Sequence, residues 1–348
     1  MASPRWLGVI AAAWLLAAVA APVGAHELDG SGLVRLPPLP EHATVEHKKE
    51  RAFQAATILS ARPLEHRIAI AQAWSAPQDA LTELDLHPSV LWGVAILSGI
   101  YALGVGPLRR RFGWAPAVPW RKVAWFTASM VLLLVSLNGP LHHLGDFFLF
   151  TGHMVQHMLI AILFPVLFLL GLPGWLLRPL IQPRPIRSIA GVLTNPVVAF
   201  GLYNMALVLW HVPGLYELAL RDHDVHIFQH LSFMALGVMA AWPILSPLPE
   251  LPRIPYIFQL LYLFFMQVPM FTVGAFVTLS EEVLYPFYEA APRVLPALGA
   301  LDDQRLGGLL MWLPGHLVYW IPMAIVFANW WVAKGDRASG LPALRVAR

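Results

Sequence analysis

The sequence predicts an all-α polytopic membrane protein, a transmembrane helix bundle of seven spans behind an N-terminal signal peptide. Three observations carry that prediction. Hydrophobic residues make up 58% of the 348 residues and charged residues only 12%, with a mean hydropathy of +0.62; a soluble domain carries about 25% charge. Seven stretches free of Asp, Glu, Lys and Arg run for 23 residues or more, at 86–108, 123–145, 147–177, 188–216, 225–249, 254–280 and 306–333, each longer than the ~20 residues that cross a bilayer core. The basic residues, finally, segregate into alternate loops, as topology demands.

Taken in chain order, Arg5, the apolar run Trp6 to Ala21 and the small residues Val23-Gly24-Ala25 read as a cleaved signal peptide over residues 1–25. Cleaved, or retained as an anchor, it leaves the chain beyond Ala25 outside the cytoplasm. Residues 26–85 form a polar periplasmic extension, with Pro37, Pro38 and Pro40, the basic residues Lys48, Lys49 and Arg51, and an amphipathic pattern from Arg51 to Ala73. The membrane domain, 86–333, is expected to cross at about 87–108, 123–140, 148–171, 193–212, 225–245, 255–280 and 306–331. A tail at 334–348 completes the chain. Segments 109–122, 178–187, Arg253 and the tail hold thirteen Lys and Arg, against Arg221, Arg293 and Arg305 on the other side. The positive-inside rule then sets the C-terminus in the cytoplasm and the 141–147, 213–224 and 281–305 loops outside, in agreement with an exported start and an odd number of spans.

That segregation accounts for the sequence pI near 9.3 as topology, without nucleic acid or another anionic partner; membrane lipid is the surrounding medium. With no cysteine in the chain, disulfides and thiolate metal sites are excluded. No G-x-x-x-x-G-K-[ST], G-x-S-x-G or H-E-x-x-H pattern occurs. Any metal must be held by His, Met or carboxylate.

The fourteen histidines supply such a pattern. Those near spans gather almost entirely at the outer face: His142 and His143 at the end of the second span, His153 and His157 in the third, His211 at the end of the fourth, and His223, His226 and His230 at the entrance to the fifth. Residues i and i+4 differ by about 40° around a helix, so His153/His157 share one face, as do His226/His230, which His223 joins at i+3. Two such stripes at one depth can offer several imidazoles to one small ion or to two. Imidazole suits copper, zinc and iron, while thioether adds a bias toward Cu(I), which makes copper handling the favoured chemistry. Met154 and Met158 each follow a histidine by one residue and lie about 100° away from it. Met266, Met270 and Met311 either line a softer path deeper in the bundle or fill core gaps, the commoner use of Met. His316, near mid-membrane, is either a deeper metal stop or a packing residue. Carboxylates such as Asp146, Glu217, Asp222, Asp224, Asp302 and Asp303 crowd the outer loops; most read as a solvated rim, and one or two as partners that orient imidazoles. If cleavage occurs after Ala25, the α-amine and ring of His26 form a further copper-capturing group.

The run Gly152-His153-Met154-Val155-Gln156-His157-Met158, with Leu167 to Pro173 after it, resembles the HMxQH and LLxLGxP signature of the CtaG family of cytochrome c oxidase assembly proteins. Three further blocks agree, at Leu209 to Tyr216, Val225 to Phe233 and Asp303 to Gly315, so the likeness covers about residues 86–332. It implies a seven-span protein of the bacterial plasma membrane, non-enzymatic, that helps mature the haem–copper oxidase by handling copper at the outer face. The partners implied are an oxidase subunit or a copper donor protein. His153, His157, His211, His226 and His230 carry over by motif; His316 and the 26–85 extension fall outside the family pattern. An unrelated single-span chaperone of the same name needs a cysteine pair that this chain lacks. Two other readings stand beside this one: a cytochrome b-like oxidoreductase with bis-His haem, and a copper or small-solute transporter, for which the inner half has few polar groups beyond Asn195, Asn204, Gln259 and Gln267.

Overall fold

A computed structural model describes residues 86–339. The expected signal peptide, the 26–85 extension, His26 and the last residues of the tail lie outside the described residues. Among those described, every regular element is helical. The helices are α1 (Pro88–Phe112), α2 (Trp120–Leu137), α3 (Pro140–Phe147), α4 (Phe150–Gly171), α5 (Gly174–Ile181), α6 (Arg184–Leu193), α7 (Pro196–Trp210), α8 (Pro213–Arg221), α9 (His223–Leu245), α10 (Tyr256–Leu279), α11 (Pro286–Ala290) and α12 (Ala300–Ser339).

Six of these, α1, α2, α4, α9, α10 and α12, are long and apolar enough to cross a membrane alone. The count reaches seven when α6 and α7, bent by 63° at the break, are taken as one crossing. The bend arises from Asn195-Pro196. A residue before proline avoids the helical region, and Asn195 instead accepts hydrogen bonds from the amides of Val197 and Val198 at 3.0 and 3.4 Å, starting α7 afresh. Proline likewise opens α1, α3, α8 and α11, where its missing N–H costs nothing. Large apolar side chains such as Trp92, Ile100, Val135, Phe258, Phe276 and Trp331 stay exposed, as expected of surfaces that face lipid rather than water.

The connections at 141–147, 213–224 and 281–305, expected as outer loops, contain the short helices α3, α8 and α11. The second span also ends earlier than its apolar run. α2 stops at Leu137, Gly139 turns the chain with φ of 74°, and His142 and His143 ride on the separate helix α3.

Two contacts set the register of α4. Its N-terminal amides, on Phe150 and Thr151, donate to Asp303 of α12 at 2.8 and 3.1 Å, so a carboxylate remote in sequence caps this helix and sits at the positive end of its dipole. Asp303 is fully buried and is therefore no solvated rim. Gly145 of α3 then meets Gly152 of α4 at near backbone contact: a Cβ on Gly145 would lie 2.9 Å from the His153 nitrogen. Asp303→Ala is expected to cost about 2 kcal/mol, the upper end for a lost cap, because both amides are left unsatisfied; a thermal midpoint lowered in detergent, with Asp303→Asn between, would show it.

Candidate metal centre

The two paired stripes meet. His153 and His157 of α4 and His226 and His230 of α9 each offer a ligand atom, and these atoms all lie within 4.8 Å of one another. Ring centroids are 4.1 Å apart for His153–His157, 4.3 Å for His226–His230, 5.5 Å for His153–His226 and 5.3 Å for His157–His230. All four rings are buried. Metal–imidazole bonds of about 2.0–2.1 Å put opposed nitrogens about 4 Å apart across an ion, so small side-chain rotations close the cluster on a metal.

The local sequence explains why these rings are in place. Asp222 caps α9, accepting from the Asp224 and Val225 amides at 2.9 and 3.1 Å, and so fixes where the histidine stripe begins. Asp303 does the same for α4. Farther along, a Cβ on Gly237 of α9 would collide with the Ala161 carbonyl of α4, so the glycine lets the two helices close. Immediately below His157, α4 contains a π-helical turn, Leu159–Leu163. Such turns insert one residue and re-aim the flanking faces.

Asp146 orders the rings from above. Its side chain is fully buried, with His142 Nε2, His153 Nδ1 and His226 Nδ1 at 3.4, 3.9 and 3.5 Å. A carboxylate is costly to bury without compensation, and three imidazoles from three helices supply it. With Nδ1 of His153 and His226 turned to the carboxylate, Nε2 is the nitrogen each has to offer an ion, the usual carboxylate–imidazole–metal arrangement. Gln156 Nε2 donates to His142 Nδ1 at 2.7 Å, which leaves the His142 proton on the nitrogen facing Asp146. His157 differs from the rest. Both its ring nitrogens are buried without a hydrogen-bond partner, as is the whole side-chain amide of Gln229, which precedes His230 in the chain. Orphaned buried polar atoms call for an explanation, and a metal at the cluster supplies one for His157.

A tyrosine layer roofs the site. Tyr288 donates to the Gly145 carbonyl at 2.7 Å and lies 3.3 Å from the Tyr216 hydroxyl; the Tyr216 ring is 5.2 Å from His153. Burial pushes both hydroxyls well above the usual phenol range, so they remain neutral donors. Tyr285 donates to the His211 carbonyl at 3.0 Å, and Arg293 donates to the carbonyls of Tyr288 and Ala291.

The other predicted residues divide by position. His142 stands beside the four, held by Asp146 and Gln156. His223 is half-buried, its ring 6.0 Å from His87, in an outer tier and outside the four-imidazole cluster. His143 packs on Phe147 and Phe148 at 5.0 and 5.4 Å. His211, expected with the ligands, lies lower: it donates Nδ1 to the Leu207 carbonyl at 2.7 Å and lines a small cavity with His157, Met154, Met158, Met270 and Met311. His316 donates to the Trp312 carbonyl and packs on Phe271, apart from the cluster. A second cavity, about 2520 Å³ and open at the surface, occupies the opposite half, lined by Tyr203, Gln259, Tyr262 and Met266 and reaching Lys122, Arg253 and Lys334.

Sequence reasoning missed His87, whose ring is 4.4 Å from that of His142 and whose amide donates to Asn138 at 2.8 Å. It also missed Gln156, Gln229 and the tyrosines. For Gln156 and Gln229 the signal was present in the dense runs of polar residues at apolar depth, Gly152 to His157 and Val225 to His230.

Fold and cluster together define a multi-pass, all-helical membrane protein with a buried imidazole site able to hold a metal ion. The chain belongs to the cytochrome c oxidase caa3 assembly factor family (Caa3_CtaG), whose family model matches residues 99–333. An uncharacterized protein of Mycobacterium leprae is 30% identical over 260 residues, which cover 70% of this chain and 38% of that protein. Uncharacterized proteins of Mycobacterium bovis and Mycobacterium tuberculosis are 29% identical over 262 residues, at the same coverage. The chain thus spans less than half the length of the curated relatives it matches. No solved structure matches it.

Proposed function

We propose that this chain is a non-enzymatic assembly factor that accepts Cu(I) at the four-histidine cluster and passes it to a subunit of the haem–copper oxidase. Membership of the oxidase assembly family supports the partner. One observation carries the metal: four buried imidazoles from two helices, within 4.8 Å, ordered by a buried carboxylate. Neutral nitrogen donors suit a monovalent ion with few ligands, and an incoming donor releases it by exchanging one imidazole at a time, with no electron transferred. The 13 to 3 split of basic residues supports a cluster at the periplasmic side of a bacterial plasma membrane, with the C-terminus in the cytoplasm.

The haem reading asks for a slot between axial ligands wide enough for a macrocycle. Ring centroids across the two helices lie 5.3–6.3 Å apart, and the adjoining cavity of about 20 Å³ is far too small for a macrocycle, which weighs against it. The experiment is metal analysis with a visible spectrum on protein purified in mild detergent after copper-supplemented growth. We expect copper without a Soret band, and less copper in His157→Ala. A Soret band would move the haem reading ahead, and neither signal would overturn the copper reading.

A further inference from the structure

Resting on the copper reading above, we propose that a second, softer Cu(I) site lies directly beneath the four-histidine cluster, formed by the thioethers of Met154, Met270 and Met311 with His211, and entered through His157. The cavity they line holds about 20 Å³, enough for one water-sized sphere and thus for a single ion. Its wall draws on five helices, α4, α7, α9, α10 and α12. Met154, Met270 and Met311 are each at most 4% exposed, so a metal here would be dry.

Two features set it apart from ordinary methionine packing. His211 gives Nδ1 to the carbonyl of Leu207, and its Nε2 is buried without a hydrogen-bond partner. His157 belongs to both sites: it offers a ligand atom to the cluster and lines the cavity, with both nitrogens unpartnered. A neutral imidazole carries one lone-pair nitrogen and one N–H, so His157, standing between an all-imidazole site and a thioether-rich one, is suited to hand an ion from the first to the second by turning that single lone pair from one to the other. Donor softness gives the step its direction, since thioether selects the monovalent ion. The transfer exchanges neutral ligands only, so no proton or electron is needed. Met154 sits one turn from His157, at i and i+3 on the same face.

The test is anaerobic Cu(I) titration of the full chain in detergent, against a chromogenic Cu(I) chelator, with copper K-edge absorption at each loading. We expect two equivalents, one of them with sulfur scatterers, and expect Met154→Leu/Met270→Leu/Met311→Leu to retain one equivalent bound by nitrogen alone. Leucine preserves volume; if the triple variant does not accumulate, Met270→Leu alone should reduce the sulfur signal. Sulfur scattering at any loading that these variants remove supports the site. Nitrogen-only spectra throughout, or sulfur that survives the triple variant, would overturn it while leaving copper at the histidines intact. Absence of any bound copper would overturn both readings.

Discussion

His153→Ala/His226→Ala is expected to lower Cu(I) affinity by more than 100-fold. Substituting groups that merely orient metal ligands already costs 10–100-fold, and this variant removes two of the four donors together. It also strips Asp146 of two of its three imidazole neighbours. Breaking a buried ionic arrangement from one side costs about 3–5 kcal/mol, so the variant should be less stable as well. Adding Asp146→Asn separates the two effects, because a neutral amide needs less compensation. The triple variant should regain thermal stability without regaining copper, a non-additivity that a mutant cycle measures directly. Copper retained by the double variant would remove the cluster from consideration as the binding site.

Gly145→Val is expected to give the largest structural failure. A Cβ there would lie 2.9 Å from the His153 nitrogen and 3.0 Å from its Cα, and backbone has no rotamer through which to yield. α3 and α4 must then separate, carrying Asp146 away from His153. Overpacking typically costs about 1–3 kcal/mol, and two branched methyls against main chain belong at or above the top of that range. Folded yield and thermal midpoint should both fall sharply, with weaker copper binding in whatever folds. Gly201→Ala is the control: nothing lies within 4 Å of its added Cβ, and alanine favours the helix by up to about 1 kcal/mol.

Legibility in the sequence tracks locality. Charge-free stretches locate the crossings because bilayer thickness imposes a length, and i, i+4 spacing pairs His153 with His157 and His226 with His230 because each pair shares a helix. The α6–α7 break is not legible in the same way. Counting charges does not register Pro196, so one apolar stretch hides two helices. Asp146 stands out only as one carboxylate among several, since its meeting with His153 and His226 depends on how α3, α4 and α9 pack. Spacing sets Met154 against the adjacent His153, although the relation that matters runs to His157. The π-helical turn at Leu159–Leu163 leaves no periodic trace in a run that is apolar on every side.

The cap on α4 bears on when the site comes into being. Synthesis proceeds from the N-terminus and early segments fold first, yet the first turn of α4 is completed by Asp303, 153 residues beyond Phe150. α4 and α9 can be in the membrane while that turn still lacks its carboxylate. The four histidines therefore reach their final register only after α12 arrives, and a half-made chain presents the paired histidines without the finished centre.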